Sequence, residues 1–493
     1  MANIGKRQII GLFLGPLVFL LLLLLPTAES MSPSAAKVAA ITALMTVWWI
    51  TEAIPIPITA LLPIALFPLL GIMKPAQATA PYANHLIYLF LGGFFIAVTI
   101  EKWNLHKRIA LHTIKLVGTS PDRIVMGFML ATAFLSMWIS NTATTMMMLP
   151  IGIAVVGQAS NMLAKNPIPG SNPLVGNQPF GTALMLGIAY SASIGGVASL
   201  IGTPPNAILA GVYENMYGQS IDFSTWLKFG VPLSSIMLIG TWLYLTKIAY
   251  PSKIKNLPSS KELIQHEIKL LGPMSKEEFR VLLVFIFVAS AWILRGIIKI
   301  EAFAMVKDST IAIFGACLLF LIPSNFKKGE FLLDWRTALK VPWDVIILFG
   351  GGFAIATGFS ESGLTQWIAS QLALLKGMPI LLMIGIISFF VIFLTEVTSN
   401  TASASLLIPI MGALAQATNT HPLGLMISTA VAASFAFMLP VATPPNAIVY
   451  GSHCVTIPQM AKAGFWVNIA GGIILTLFVI YVLPLVWGIE LLN

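Results

Sequence analysis

Two short polar motifs, each occurring twice in an otherwise apolar chain, carry the chemistry open to this sequence. SNTATTMMMLPI at 140–151 recurs as SNTASASLLIPI at 399–410, and IGTPPNAILAG at 201–211 recurs as VATPPNAIVYG at 441–451. Ser140, Asn141 and Thr142, like Ser399, Asn400 and Thr401, supply hydrogen-bond donors and acceptors without fixed charge. They are also good N-caps. A helix starting at such a tip presents free backbone N–H groups and roughly half a positive charge to an anion. Thr203-Pro204 and Thr443-Pro444 read as helix breaks, because proline suits the first turn of a new helix and the turn before it leaves carbonyls unpaired. Carbonyls turned inward are hard ligands, matched to a small hard cation. Each half of the chain thus has the parts to bind a cation beside its share of an anion.

Other candidates carry less. Gly92 and Gly93 in LFLGGF (89–94), and Gly351 and Gly352 in LFGGGF (348–353), suit close helix packing. Met146, Met147 and Met148 read as packing rather than as a soft-metal site. Glu52 and Glu396 lie in or beside apolar segments, where a carboxylate either serves function or accepts from backbone N–H groups. In sequence no Lys or Arg adjoins either SNT tip. Six scattered histidines, no HExxH, no GxxxxGK[ST] and no paired catalytic carboxylates argue against an enzyme. Two cysteines, Cys317 and Cys454, make neither a disulfide framework nor a Cys-rich metal site.

The elements that must hold these motifs are set by the solvent, which is lipid. Of 493 residues 57% are hydrophobic and 9% charged, with a mean hydropathy of +0.90, against about 25% charged in a soluble domain. Runs such as IIGLFLGPLVFLLLLLL (9–25) can cross a core about 30 Å thick. Apolar runs and turn signals predict eleven crossings, near 8–26, 36–51, 54–73, 85–103, 180–213, 229–249, 279–297, 309–323, 343–360, 423–451 and 464–488. The first is expected to be retained rather than cleaved, since PTAES after it lacks an A-x-A site. Two stretches, 122–157 and 379–414, are too short for two full spans and polar at their middle, so they are expected to be re-entrant hairpins whose tips line a cavity.

With a cytoplasmic N-terminus, the predicted inside segments hold 20 of the 27 Lys and Arg, which puts the C-terminus outside. The net charge of +9 is scattered among loops, a topology signal rather than a nucleic-acid stripe. Residues 259–272 read as an interfacial helix with a Ser259–Glu262 capping box, and 105–117 as a basic helix whose Lys107, Arg108 and Lys115 suit an anionic leaflet.

The three motif pairs keep one order along the chain. Each half has five crossings plus a hairpin, and an odd count inverts the copies across the membrane. The expected organisation is a span at 1–35 outside the repeat, repeat 1 at 36–250, a cytoplasmic linker at 251–278 and repeat 2 at 279–493. The fold class is thus an all-α polytopic membrane protein. Inverted repeats bring corresponding segments together near the midplane, so the tips and breaks should converge on one chamber.

The paired SNT and TPPN motifs resemble those of the divalent anion/sodium symporter family, the dicarboxylate and citrate transporters that include the INDY proteins, from about residue 36 onward. The resemblance implies a homodimer in the cell (inner) membrane, working as an elevator that couples Na+ to uptake of C4-dicarboxylates. It implies substrate carboxylates held by Ser140, Asn141, Thr142, Ser399, Asn400 and Thr401, with Thr203, Pro204, Thr443 and Pro444 nearby. It further implies one sodium site at Ser136, Ser140, Asn141 and Gly202, and another at Thr395, Thr398, Asn400 and Ala442. Obligate exchangers of the family look as if they carry a basic residue just after the first SNT; here Ala143, Thr144 and Thr145 follow, which favours sodium coupling. Thr401 in the second motif resembles the dicarboxylate branch. The alternatives are a sodium-independent dicarboxylate or citrate exchanger and an inorganic divalent-anion carrier.

Overall fold

The computed structural model describes residues 5–28, 30–118, 120–165, 178–254, 257–298 and 305–492, without the side chains of 165 and 258–261. Backbone polar groups in lipid must be satisfied within the segment, and the described residues are accordingly mostly helical. The first half contains α1 (Lys6–Leu24), α2 (Pro33–Thr51), α3 (His85–Lys102), α4 (Leu105–Val117), α5 (Pro121–Ser136), α6 (Asn141–Lys165), α7 (Pro179–Ala198), α8 (Pro204–Tyr217) and α9 (Phe223–Leu243), the last extended by a π-helical turn, Tyr244–Ala249. After α10 (Pro258–Leu271) follow α11 (Lys276–Ile297), α12 (Asp308–Leu321), α13 (Trp343–Ser362), α14 (Leu364–Leu372), α15 (Ile380–Thr395), α16 (Asn400–Thr418), α17 (Pro422–Ala432), α18 (Pro444–Tyr450) and α19 (Ile457–Tyr481).

Proline starts α2, α5, α7, α8, α17 and α18, where its missing N–H costs nothing. Among the described residues ten helices are long and apolar enough to cross a membrane, or eleven with α14 and α15, which meet at 116°, counted as one broken span. The ten are a different set from the eleven predicted runs. They include α6 and α16, expected only as hairpin arms, and exclude three predicted spans: 54–73, which forms two short pieces, Ile56–Thr59 and Leu62–Leu69, 309–323, which forms only the short α12, and 423–451. Predicted spans 180–213 and 423–451 are each split in two, at 199–203 and at 433–443. The all-α expectation also needs one correction, since Pro323–Asn325 and Glu330–Phe331 pair as a small antiparallel ribbon.

Rim and centre helices alike are apolar enough to span, and packing shows which is which. α7 is buried from Phe180 to Ala198, including Thr182, Ser191 and Ser193, whereas α1 buries only Gly11 and Gly15. α7 packs on α5, α6, α9 and α18. Its approach to α5 requires glycine at 195, where a Cβ would stand 2.3 Å from the Ala133 carbonyl oxygen. Gly92 and Gly351 have the packing role expected of them, with a Cβ meeting Ala312 and Ala60 within 2.6 Å.

The linker helix is α10, within a residue of the predicted bounds, but Ser259 is not its cap: the helix already begins at Pro258, after Leu257. It lies against α4, with Lys107 paired to Glu267 at 3.0 Å. Arg108 does not face lipid headgroups as the sequence suggested. It is buried and grips Glu278 through Nε and Nη2 at 3.1 and 2.9 Å, while its nitrogens also donate to the carbonyls of Gly272 and Pro273. Deleting one partner leaves the other charge buried and unpaired, so Arg108→Ala should cost about 3–5 kcal/mol. Thermal unfolding in detergent is expected to show a clearly lowered midpoint, and an unchanged midpoint would show that this pair contributes nothing.

Candidate functional site

Four interruptions bring polar groups to the interior, at 137–140, 199–203, 396–399 and 433–443. Their local causes are legible. Ser140 Oγ accepts from Ala143 N at 3.2 Å, and Ser399 Oγ from Ala402 N at 3.5 Å, the N-cap arrangement that opens α6 and α16. Asn141 and Asn400 follow as the first helical residues, with Thr142 and Thr401 next. All six are half-buried, so the tips are open on one side while the groups behind them are closed in.

Behind each tip sits a cluster of oxygens with too few hydrogens. Ser136 Oγ, which carries one hydrogen, lies within bonding distance of both Asn141 Oδ1 and Ala192 O, the latter at 2.7 Å. In the second half Thr395 Oγ1 lies 2.5 Å from Asn400 Oδ1 and 3.1 Å from Ala433 O. Ser136 and Thr395 are fully buried. One hydroxyl hydrogen cannot serve two acceptors, and either a turned amide or a bound cation relieves such a shortage. Gly196 lies beside both Asn141 and Gly202: a Cβ there would stand 2.7 Å from Asn141 Oδ1 and 3.1 Å from Gly202 O. Among the described residues no three His, Cys, Asp or Glu side chains come together as a metal site.

Not every expected residue joins. Thr398 directs its hydroxyl to Leu394 O at 2.9 Å and Ser403 Oγ at 2.7 Å. Ala442 is buried in the second break and donates its N–H to Leu439 O at 3.2 Å. Thr203 and Thr443 precede Pro204 and Pro444 at the starts of α8 and α18. Thr443 Oγ1 accepts from Asn446 N, whereas Thr203 Oγ1 lies 3.3 Å from Ser434 Oγ in the other half's break. The halves are exchanged in packing as well. α8, of the first half, packs on α16 and α17, and α18, of the second, packs on α6 and α7.

Several participants escaped the sequence reading. Asn206 Nδ2 donates to Val197 O and Ser199 O, and Asn446 Nδ2 to Ala436 O and Leu439 O, so the last letter of TPPN clamps the carbonyls of the break before it. Its recurrence in both motifs was the available signal. Glu396 takes the backbone role: its carboxylate accepts from Phe437, Met438 and Leu439 N at 2.8–3.0 Å and from Asn468 Nδ2 at 2.7 Å. Glu52 is exposed at the C-cap of α2, in the left-handed region at φ 51°. A basic residue does reach one tip, contrary to the linear reading: Arg7 of α1, itself exposed, donates to Ile50 O and, at 3.4 Å, to Val397 O.

Comparison with known proteins agrees along the whole chain. The profile of the sodium:sulfate symporter transmembrane region matches residues 6–489. The sodium-dependent dicarboxylate transporter SdcS of Staphylococcus saprophyticus is 46% identical over 491 residues, covering 99% of this chain and 93% of that protein. SdcS of Staphylococcus aureus (strain NCTC 8325) is 47% identical over 487 residues, 98% and 93% of the two chains. The YdaH transporter of Alcanivorax borkumensis superposes with a TM-score of 0.56 at 11% identity, over 91% of this chain and 98% of that one. MtrF of Neisseria gonorrhoeae superposes with a TM-score of 0.53 at 10% identity, over 91% and 96%. These two likenesses concern the fold alone.

Proposed function

Because this chain belongs to the sodium:sulfate symporter transmembrane-region family, we propose that it is a secondary active transporter coupling inward Na+ movement to uptake of C4-dicarboxylates such as succinate, malate and fumarate. The names of the staphylococcal relatives speak for sodium and for a dicarboxylate. The observation that carries the reading is the repeated shortage of hydrogens: Ser136, Asn141 and Ala192 O, then Thr395, Asn400 and Ala433 O. A turned amide would explain one such cluster as a packing kink. Two, each directly behind an N-capped tip, suit a cation that neutralises an anion held in front. In this reading Ser136, Ser140, Asn141 and Gly202 hold one Na+, and Thr395, Thr398, Asn400 and Ala442 the other; Thr398 and Ala442 then contribute only after a small rearrangement. The carboxylates rest on Ser140, Asn141, Thr142, Ser399, Asn400 and Thr401, bordered by Thr203, Pro204, Thr443 and Pro444.

The same reading treats 36–250 and 279–493 as inverted repeats, joined by a cytoplasmic linker at 251–278 and preceded by a span within 1–35. The α5–α6 and α15–α16 pairs then act as hairpins from opposite sides of the cell membrane, and homodimeric subunits move the site by an elevator. α6 is 25 residues long, about 37 Å, so its tip position rather than its length makes it re-entrant here.

Labelled succinate uptake into proteoliposomes tests the substrate. Malate and fumarate should compete, with citrate and sulfate at least about tenfold weaker, the discrimination expected when one site charge or hydrogen bond is mismatched. Equal competition by sulfate would move the reading to an inorganic-anion carrier. Topology is tested separately, in a background lacking Cys317 and Cys454. A cysteine at Ser252 should be labelled only from the cytoplasm and one at Glu490 only from outside; labelling of both from one side would dismiss the inverted arrangement.

A further inference from the structure

Away from the four breaks, a groove of about 830 Å³ runs between α9 with its π-helical extension and α19 from Pro458 to Ile474. Its lining changes character along its length. One end has Tyr244, Gln459 and Lys462; the other has Met237, Ala470 and Ile474. The Tyr250 hydroxyl donates to Gln459 O at 2.9 Å and so joins the two helices at the polar end. From Gln459 to Ile474 the helix rises about 22 Å, close to the roughly 21 Å of one leaflet with its headgroup region. Lys462 is exposed and pairs with no acid among the described residues, while at the same end of α9 the carboxylate of Asp122 is already paired with Lys247. Along the groove Gly240 is open, with no atom within 4 Å of a Cβ built on it.

We propose that this groove binds one anionic glycerophospholipid, its phosphate on Lys462 and an acyl chain lying along Met237, Gly240, Ala470 and Ile474. A cation at one end and an apolar trough one leaflet long match an amphiphile of that charge. A helix from a second copy would bury Lys462 without a counter-charge, which is costly. The proposal rests on the membrane-spanning reading alone and not on the substrate or sodium assignments, so a failure of uptake does not bear on it.

Native mass spectrometry of the purified protein, supplied with equal amounts of phosphatidylglycerol and phosphatidylcholine, tests this. Wild type is expected to retain phosphatidylglycerol in preference. Lys462→Gln should weaken that retention roughly fivefold, the effect of one lysine at an anionic surface, and leave phosphatidylcholine unchanged. Gly240→Trp fills the trough and should reduce retention of both lipids; if that variant does not fold, Ala470→Phe on the facing helix replaces it. Equal retention of the two lipids by wild type, or unaltered phosphatidylglycerol retention in Lys462→Gln, would overturn the proposal. So would a change of oligomeric mass in the trough-filling variant, which would make the groove a protein interface.

Discussion

Asn141→Ala and Asn400→Ala are each expected to lower succinate uptake on the order of 100-fold or more, in protein that still folds. The size follows from the double duty proposed for each amide, which faces a cation through Oδ1 and a carboxylate from the N-capped tip. A hydrogen bond to a charged partner contributes about 1.5–3 kcal/mol, and here a cation ligand goes with it. Folding should survive, because both residues are half-buried at helix starts and alanine is the best helix former. Sodium and succinate affinities should fall together in each variant, since one side chain serves both. Asn206→Ala provides the contrast. That residue is fully buried and clamps Val197 O and Ser199 O, so its loss should appear first as a lowered unfolding temperature. Wild-type transport by either tip variant would mean that the oxygen clusters are packing kinks with turned amides.

Removing sodium is expected to abolish uptake almost completely, with potassium or protons as the only cations present. A dianion taken out of water without counter-charge is costly, and neutral Ser, Asn and Thr groups do not supply one. Among the described residues Arg7 is the one basic group seen at a tip, but it is exposed and its Nη2 donates to the backbone carbonyls of Ile50 and Val397. Arg7→Gln should therefore leave sodium dependence intact. Two sodium ions neutralise one dianion and make transport electroneutral; a third would carry one net positive charge inward. That charge is driven by about 2.3 kcal/mol per 100 mV, so an inside-negative potential should accelerate uptake. Sodium should also lower the apparent KM for succinate, because ion and anion stabilise one another in the same chamber. Full-rate succinate exchange in sodium-free buffer would refute coupling and favour an exchanger.

What the sequence determined by itself was whatever short-range chemistry decides. Proline has a fixed φ and no N–H, so Pro204 and Pro444 marked the starts of α8 and α18 without any tertiary information. Ser140 and Ser399 act on N–H groups three residues away, and their caps were readable for the same reason. Repetition did the rest, since matching SNT and TPPN in two halves marked the interruptions of the candidate site before any packing was known. Long-range partners were not readable. Ala192 O and Ala433 O stand 56 and 38 residues from the hydroxyls they approach, and nothing in an alanine announces that its carbonyl will face a hydroxyl. Arg108 looked like a membrane-surface cation until Glu278, 170 residues on, neutralised it inside the protein. Span assignment failed where it did because lipid removes the polar–apolar contrast between the faces of a helix. Length and hydropathy pass both α1 and α7 as spans, and it is the packing of neighbours that makes one the rim and the other the centre. The tertiary structure alone decided that the halves exchange partners, α8 on α16 and α18 on α6, because which face meets which is set by side-chain fit between helices far apart in the chain.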